Sequence, residues 1–316
     1  MWRRAFVLAG GIFVGLAPTH AAQPPPAPSS GVETVIVTAS ERGPAVWHAT
    51  KDGADVAILG IVEPLPDNFV WNTKPLAATL GTVHRVLLPP EIRMGVFSGV
   101  WFYLTKSDLL HPPANKTLRD ILDPGVANDL TRICDFLRER EDRYSDNSPI
   151  LAAMRLGSDF RHVDYLTTHE PEDTIAALAR ARHVAVHRIA TYDLVSSAED
   201  LLKLPPSITG ECIEAEISDI DYQSRHVAAA ANAWAIGDTA GMRANWAPSN
   251  YYNCLVQLSP QATSIDARYV DDTVAAIDGA LSDGGHTLVV VNIGMLLRKD
   301  GVLARLRAAG VSVAGP

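Results

Sequence analysis

Glu63 is the residue of this chain whose setting most invites chemistry. It lies in GIVEPLP, Gly60 to Pro66, directly after the apolar run DVAILGIV. That places it just past a predicted strand end, where α/β proteins put functional groups. A carboxylate there can serve as a general base or as a lone metal ligand. An exposed loop residue ahead of Pro64 would read the same way. His183 and His187 are four apart in HVAVHRIA. They would share a face of a strand or helix, as metal pairs do, or be two surface histidines; no third ligand is placed by spacing. His162, Asp164, His169, Glu170, Glu172 and Asp173 crowd a predicted loop. That cluster could bind a divalent ion, or be a solvated connection running into the acidic first turn of a helix. The GxSxG elbow, HExxH, the Walker A loop and GxGxxG are absent, which removes several hydrolase and nucleotide-binding classes.

The N-terminus bounds where this chemistry would operate. Arg3 and Arg4 precede the uncharged apolar run Ala5 to Ala17, and Ala21 and Ala22 supply small residues. This pattern predicts a secretory signal peptide over 1–22. The run is shorter than the roughly 20 residues that span a bilayer, although an uncleaved anchor has a similar outline. Residues 23–40 hold the Pro-rich QPPPAPSS and a lead-in strand, ETVIVTAS, and 41–316 form the folded domain. The expected location is periplasmic or secreted, with no membrane span in the mature chain. The formal net charge is −9. This acidic balance, with no basic stripe and interleaved aromatics, argues against nucleic acid or an anionic membrane as the main partner. An exported chain keeps disulfides. Cys212 and Cys254 flank a helical stretch that could bring them together and are predicted to pair. Cys134, inside LTRICDFL, reads as a buried apolar residue.

The elements that must hold Glu63 follow from periodicity and turn signals. AVWHAT and DVAILGIV, separated by KDGA, predict a hairpin. HRVLLPP, HVAVHRIA, TLVVVNIG and VSVAG read as further strands. Helices are predicted over 117–141 with a break at Asp123-Pro124-Gly125, over 173–182, from Asp193 or Ser196 to before Pro205, through 228–234, and over 266–281. Asp300 is predicted to cap a helix over GVLARLRAAG. The fold class is α/β (mixed α+β): a central mixed β-sheet of two related halves flanked by helices.

Three segments carry a family resemblance. GIVEPLPDNFVWNTKPLAATL resembles the first signature block of the TraB/GumN/PrgY family, related to the Tiki metalloproteases, with Gly60, Leu65, Pro66, Trp71 and Leu76 in register. AWAIGDTAGM resembles its Trp-x-x-Gly-Asp segment. The C-terminal block, from Asp266 to Val313, resembles its second signature, with Arg268 in place and Tyr269 replacing an asparagine. In that family each signature carries a Gly-x-x-His contributing to a metal site. Here the histidine positions are Glu63 and Met295, and the last glycine is Asn292. A glutamate after the next strand falls near Pro89 or Pro90, and another becomes Ala190.

The resemblance therefore implies the family's hydrolase-like scaffold, and the substitutions imply a degenerate site over Gly60, Glu63, Pro89, Ala190, Arg268, Asn292 and Met295. A divalent site needs several N or O ligands converging on one point. A thioether at Met295 suits copper(I) rather than zinc or manganese. The expectation is an exported pseudoenzyme with no cofactor, acting as a binding or regulatory module for a peptide or envelope protein. One rival is a metal-dependent hydrolase or peptidase rearranged around Glu63, Asp164 and the His183/His187 pair. Another is a structural envelope protein.

Overall fold

A computed structural model describes residues 42–93, 96–168, 170–193 and 195–316; of residues 96–98 and 195–197 only the backbone is described. The predicted signal peptide, Pro-rich spacer and lead-in strand, and His169, lie outside the described residues. The described residues open with a hairpin, β1 (Val46–Lys51) and β2 (Ala54–Ile61). Its turn places Asp52 and Gly53 at φ of 50° and 85°, the left-handed geometry that matches strand twist. The short β3 (Leu65–Pro66), the helix α1 (Lys74–Leu80), β4 (Arg85–Leu88), β5 (Glu91–Arg93) and α2 (Val96–Lys106) follow. Next come α3 (Pro124–Leu137), α4 (Asp142–Ser145), α5 (Pro149–Val163), β6 (Leu166–Thr167) and α6 (Glu172–Ala181). Then β7 (Ala185–Arg188), β8 (Thr191–Asp193), α7 (Val195–Leu202) and the long α8 (Pro206–Ala235) lead to α9 (Thr239–Asn245) and α10 (Asn250–Leu258). The chain closes with α11 (Pro260–Ser282), β9 (Thr287–Asn292), α12 (Ile293–Leu297), α13 (Val302–Ala308) and β10 (Ser312–Ala314).

Among the described residues the main sheet has six strands in the order β10-β1-β2-β9-β4-β7. β10, β1 and β2 pair antiparallel, whereas β2, β9, β4 and β7 run parallel. The fold is thus the expected α/β class with a mixed central sheet. β9 reads TLVVVN and is almost wholly buried, as a parallel strand covered on both faces must be. The helical layer has its own core, where Leu130, Ile133, Leu156, Phe160, Ile213 and Ile217 interlock between α3, α5 and α8.

Several local expectations change. Asp123-Pro124 begins α3 rather than breaking a helix, since proline suits the first helical turn, and Arg119–Ile121 is a 3₁₀ turn. His162 closes α5, and Glu172 and Asp173 open α6, so that cluster is not a loop. Asp300 does not cap α13; Gly301 holds the N-cap position, and Asp300 lies 3.2 Å from Arg298. The predicted bridge joins Cys212 on α8 to Cys254 on α10, with Cα atoms 5.6 Å apart. Cys134 is buried, and burial pushes its thiol up to about 12. No helix among the described residues is long and apolar enough to cross a membrane.

Candidate functional site

The parallel strands deliver their C-terminal ends to one edge of the sheet. Ile61 at the end of β2 is in register with Asn292 at the end of β9. Beyond β2 come Val62 and Glu63; beyond β4 come Pro89, Pro90 and Glu91. Arg188 closes β7 opposite Leu88, and Ala190 follows, its carbonyl accepting from the Glu91 N–H at 3.0 Å. Four chain segments thus meet at a common mouth, the usual place for function in parallel sheets.

Glu63 is partly buried there and hydrogen-bonded to the Asn292 side chain. Asn292 Oδ1 accepts from the Gly294 N–H at 3.0 Å, which leaves its Nδ2 to donate to the Glu63 carboxyl. Burial pushes Glu63 up to about 8, helped by the nearby Glu172 carboxylate and opposed by Asn292 and Arg188. At neutral pH Glu63 is therefore a carboxylic acid that can donate a proton or a hydrogen bond. The Tyr269 hydroxyl stands beside it. Burial raises its pKa, and it accepts from the Asn292 backbone N–H.

Arg188 ties the other side of the mouth together. Its Nη1 donates to the Pro89 carbonyl at 2.8 Å, and its Nη2 donates to Glu172. Its Nε lies 2.9 Å from Glu91 Oε2, while Arg93 Nε lies 2.5 Å from Glu91 Oε1. Next to this ionic group is an apolar one: Ala190 and Met295 pack on Tyr192, Ile265 and Tyr269. Arg268 lies outside the ion pairs. Its guanidinium carbon sits 4.7 Å over the Tyr192 ring, whose hydroxyl donates to Asp272 at 2.7 Å.

The family model for TraB/PrgY/gumN proteins matches residues 45–314. The chain belongs to the TraB/PrgY/gumN family. No curated protein and no solved structure matches it significantly. The segments that resemble this family meet beneath the mouth. Trp234 Nε1 donates to the Gly60 carbonyl at 2.8 Å, and Trp234 packs on Trp71 with ring centroids 5.0 Å apart. A Cβ on Gly60 would lie 2.6 Å from Ile293 Cδ1 and 3.0 Å from Trp47 Cζ3, so a larger residue there would force the Ile293 side chain to move. Gly237 ends α8 with φ of 71°, and Asp238 caps α9 by accepting from Gly241 N at 2.9 Å.

The positions named from the sequence have distinct fates. Glu63, Asn292, Pro89 and Ala190 come together at the mouth, and Met295 joins Ala190 in its apolar wall. His183 and His187 do not come with them: His183 sits in a left-handed turn at φ 59°, and His187 is exposed on the edge strand β7. Asp164 caps the end of α5, where burial raises its pKa. Among the described residues no group of three His, Cys, Asp or Glu is arranged to hold a metal ion. Arg188 and Glu91 were missed as site residues. Arg188 ends a strand and Glu91 directly follows the prolines that stop another, the same strand-end signal that marked Glu63.

Proposed function

We propose that this TraB/PrgY/gumN protein is an exported, non-catalytic binding or regulatory module whose mouth no longer serves a metal. The observation that carries the reading is the Arg188 guanidinium lying against both Glu172 and Glu91. A hard divalent cation needs several free O or N donors around one point. Here a cation already satisfies two of the carboxylates, Glu63 is held neutral, and Ala190 and Met295 offer a methyl and a thioether. This donor set does not fit zinc, manganese or magnesium. It suits hydrogen bonding to a neutral polar ligand such as a peptide backbone, with Glu63 donating and an apolar wall alongside. Export is supported by the signal-like N-terminus and by the Cys212–Cys254 bridge, which persists in oxidising compartments.

A second reading draws on Glu63 itself. A carboxyl held near 8 beside a second carboxylate is how hydrolases prepare a general acid, and this favours a metal-dependent hydrolase or peptidase rearranged around Glu63. Elemental analysis of the purified protein and of Glu63→Ala decides between them. The binding-module reading expects no stoichiometric metal in either sample. Stoichiometric zinc, manganese or copper that vanishes in the variant would sink it and lead to peptidase assays.

A further inference from the structure

A second surface, apart from the mouth, has no role in this reading. Val100, Trp101, Tyr103 and Leu104 on α2 are 55%, 69%, 64% and 72% exposed. They occupy positions i, i+1, i+3 and i+4, one contiguous face of a helix. Phe102, on the opposite side, is buried and anchors α2 to the fold. Isolated exposed apolar residues need no explanation, but a contiguous face of this kind marks a docking surface.

Size and charge argue for the occupant. The α2 helix has 11 residues and is therefore about 16 Å long. Its four large side chains offer about 500 Å² of exposed apolar surface. That falls short of the roughly 800 Å² a partner contributes to a stable protein interface. A lipid surface asks for less, because a few side chains entering the headgroup boundary suffice, and Trp and Tyr favour that depth. The face itself is uncharged. Residues 92–107 contain no Asp or Glu, and the two cations in the stretch are ion-paired, Arg93 with Glu91 and Lys106 with Glu199. Lys106 anchors the helix end to Glu199 on α7 at 3.2 Å.

We infer that the exposed face of α2 docks this protein on a phospholipid surface. Binding requires Trp101 and Leu104 and does not depend on anionic headgroups. The test is co-sedimentation of the full chain with vesicles of phosphatidylethanolamine and phosphatidylglycerol at 3:1, and with phosphatidylcholine vesicles. It compares the wild type with Trp101→Ser/Leu104→Ser and with Phe136→Ser, a control at another exposed apolar residue. The double variant should lose about tenfold or more in partitioning, while Phe136→Ser should bind as wild type does. The shared N-terminal apolar stretch cancels in this comparison. Equal binding of wild type and double variant, or no binding by the wild type, would overturn the proposal. So would a dimer, seen by light scattering, that the double variant abolishes without changing vesicle binding; the occupant would then be a second copy.

Discussion

Glu63 and Glu216 are both pushed up to about 8, yet they belong to unlike regions. Glu216 lies in the middle of α8, packed so closely on α5 that a Cβ on Gly157 would stand 2.1 Å from its Oε1. Burial raises it, Asp219 one turn along adds to the effect, and Arg161 opposes it. Its neighbours come from the two helices it joins. Glu63 is raised by burial too, but the groups acting on it come from β9, α6 and β7. The comparison separates two meanings of a shifted carboxyl. Burial beside groups of the same packed helices makes a neutral acid inside a helical layer; polar groups converging from several strand ends make a candidate site.

The helical region should be broken most deeply by removing its crosslink. Cys212 and Cys254 are 42 residues apart, and closing such a loop is worth about 4 kcal/mol in the chain-entropy view. Urea unfolding of Cys212→Ala/Cys254→Ala should show a loss of that order. The Glu63 titration should stay where it is, because the bridge touches no element of the mouth. A shift of that titration would mean the two regions are coupled and the contrast is false.

The two glutamates should then be compared directly by pH. Each is protonated in the folded protein up to about 8 and ionises near 4.5 when unfolded. Between those values the unfolded chain binds fewer protons, so stability falls as pH rises from 4.5 towards 8, and the penalty is absent below 4.5. Glu63→Gln and Glu216→Gln should each remove part of that slope, making the variant more stable at pH 7 by up to about 3 kcal/mol. Denaturant midpoints at pH 5 and pH 7.5 check this. The sharper outcome lies in binding: Glu63→Gln should alter ligand recognition at the mouth, and Glu216→Gln should not.

How much of this was legible beforehand differs between the regions for a physical reason. The hairpin, β4, β7, β9 and α11 show in the sequence because strand and helix periods leave a mark on every residue. Glu63 was legible because it follows a strand directly. The bridge was legible from compartment and position. The Arg188–Glu172–Glu91 group was not, since its members lie on β7, α6 and β5 and nothing local records that these elements meet. The absence of Asp300 from the α13 cap has the same origin. Its carboxylate lies beside Arg298, which is itself held bidentately by Asp266 at 2.8 and 2.9 Å.

Arg188 offers the next test of the mouth. Arg188→Met removes the cation that lowers Glu63 and leaves Glu172 without its partner. The Glu63 titration should move higher still, and stability should fall by about 1–3 kcal/mol. Glu172→Gln should move Glu63 the other way, because its carboxylate is one of the two causes that raise it. Carboxyl-resolved NMR titration reads both signs. No shift in either variant would show that burial alone controls Glu63, and the mouth would then resemble the Glu216 site after all.

Arg268 sets the outer limit of the mouth. It sits where the family resemblance places an arginine, yet its contact is the Tyr192 ring. A cation over an aromatic face at an exposed position is worth about 0.5–1 kcal/mol, so Arg268→Ala should cost no more than that. Arg268→Lys keeps the charge but loses the planar stacking surface, and it should recover only part of the loss. Tyr192 is buried, and its hydroxyl donates to Asp272 whether or not Arg268 is present. The wall formed by Ala190, Met295, Ile265 and Tyr269 should therefore survive the substitution. Thermal unfolding of the two variants reads the stability term. A larger loss, or a shift in the Glu63 titration, would place Arg268 inside the charge network rather than on its rim.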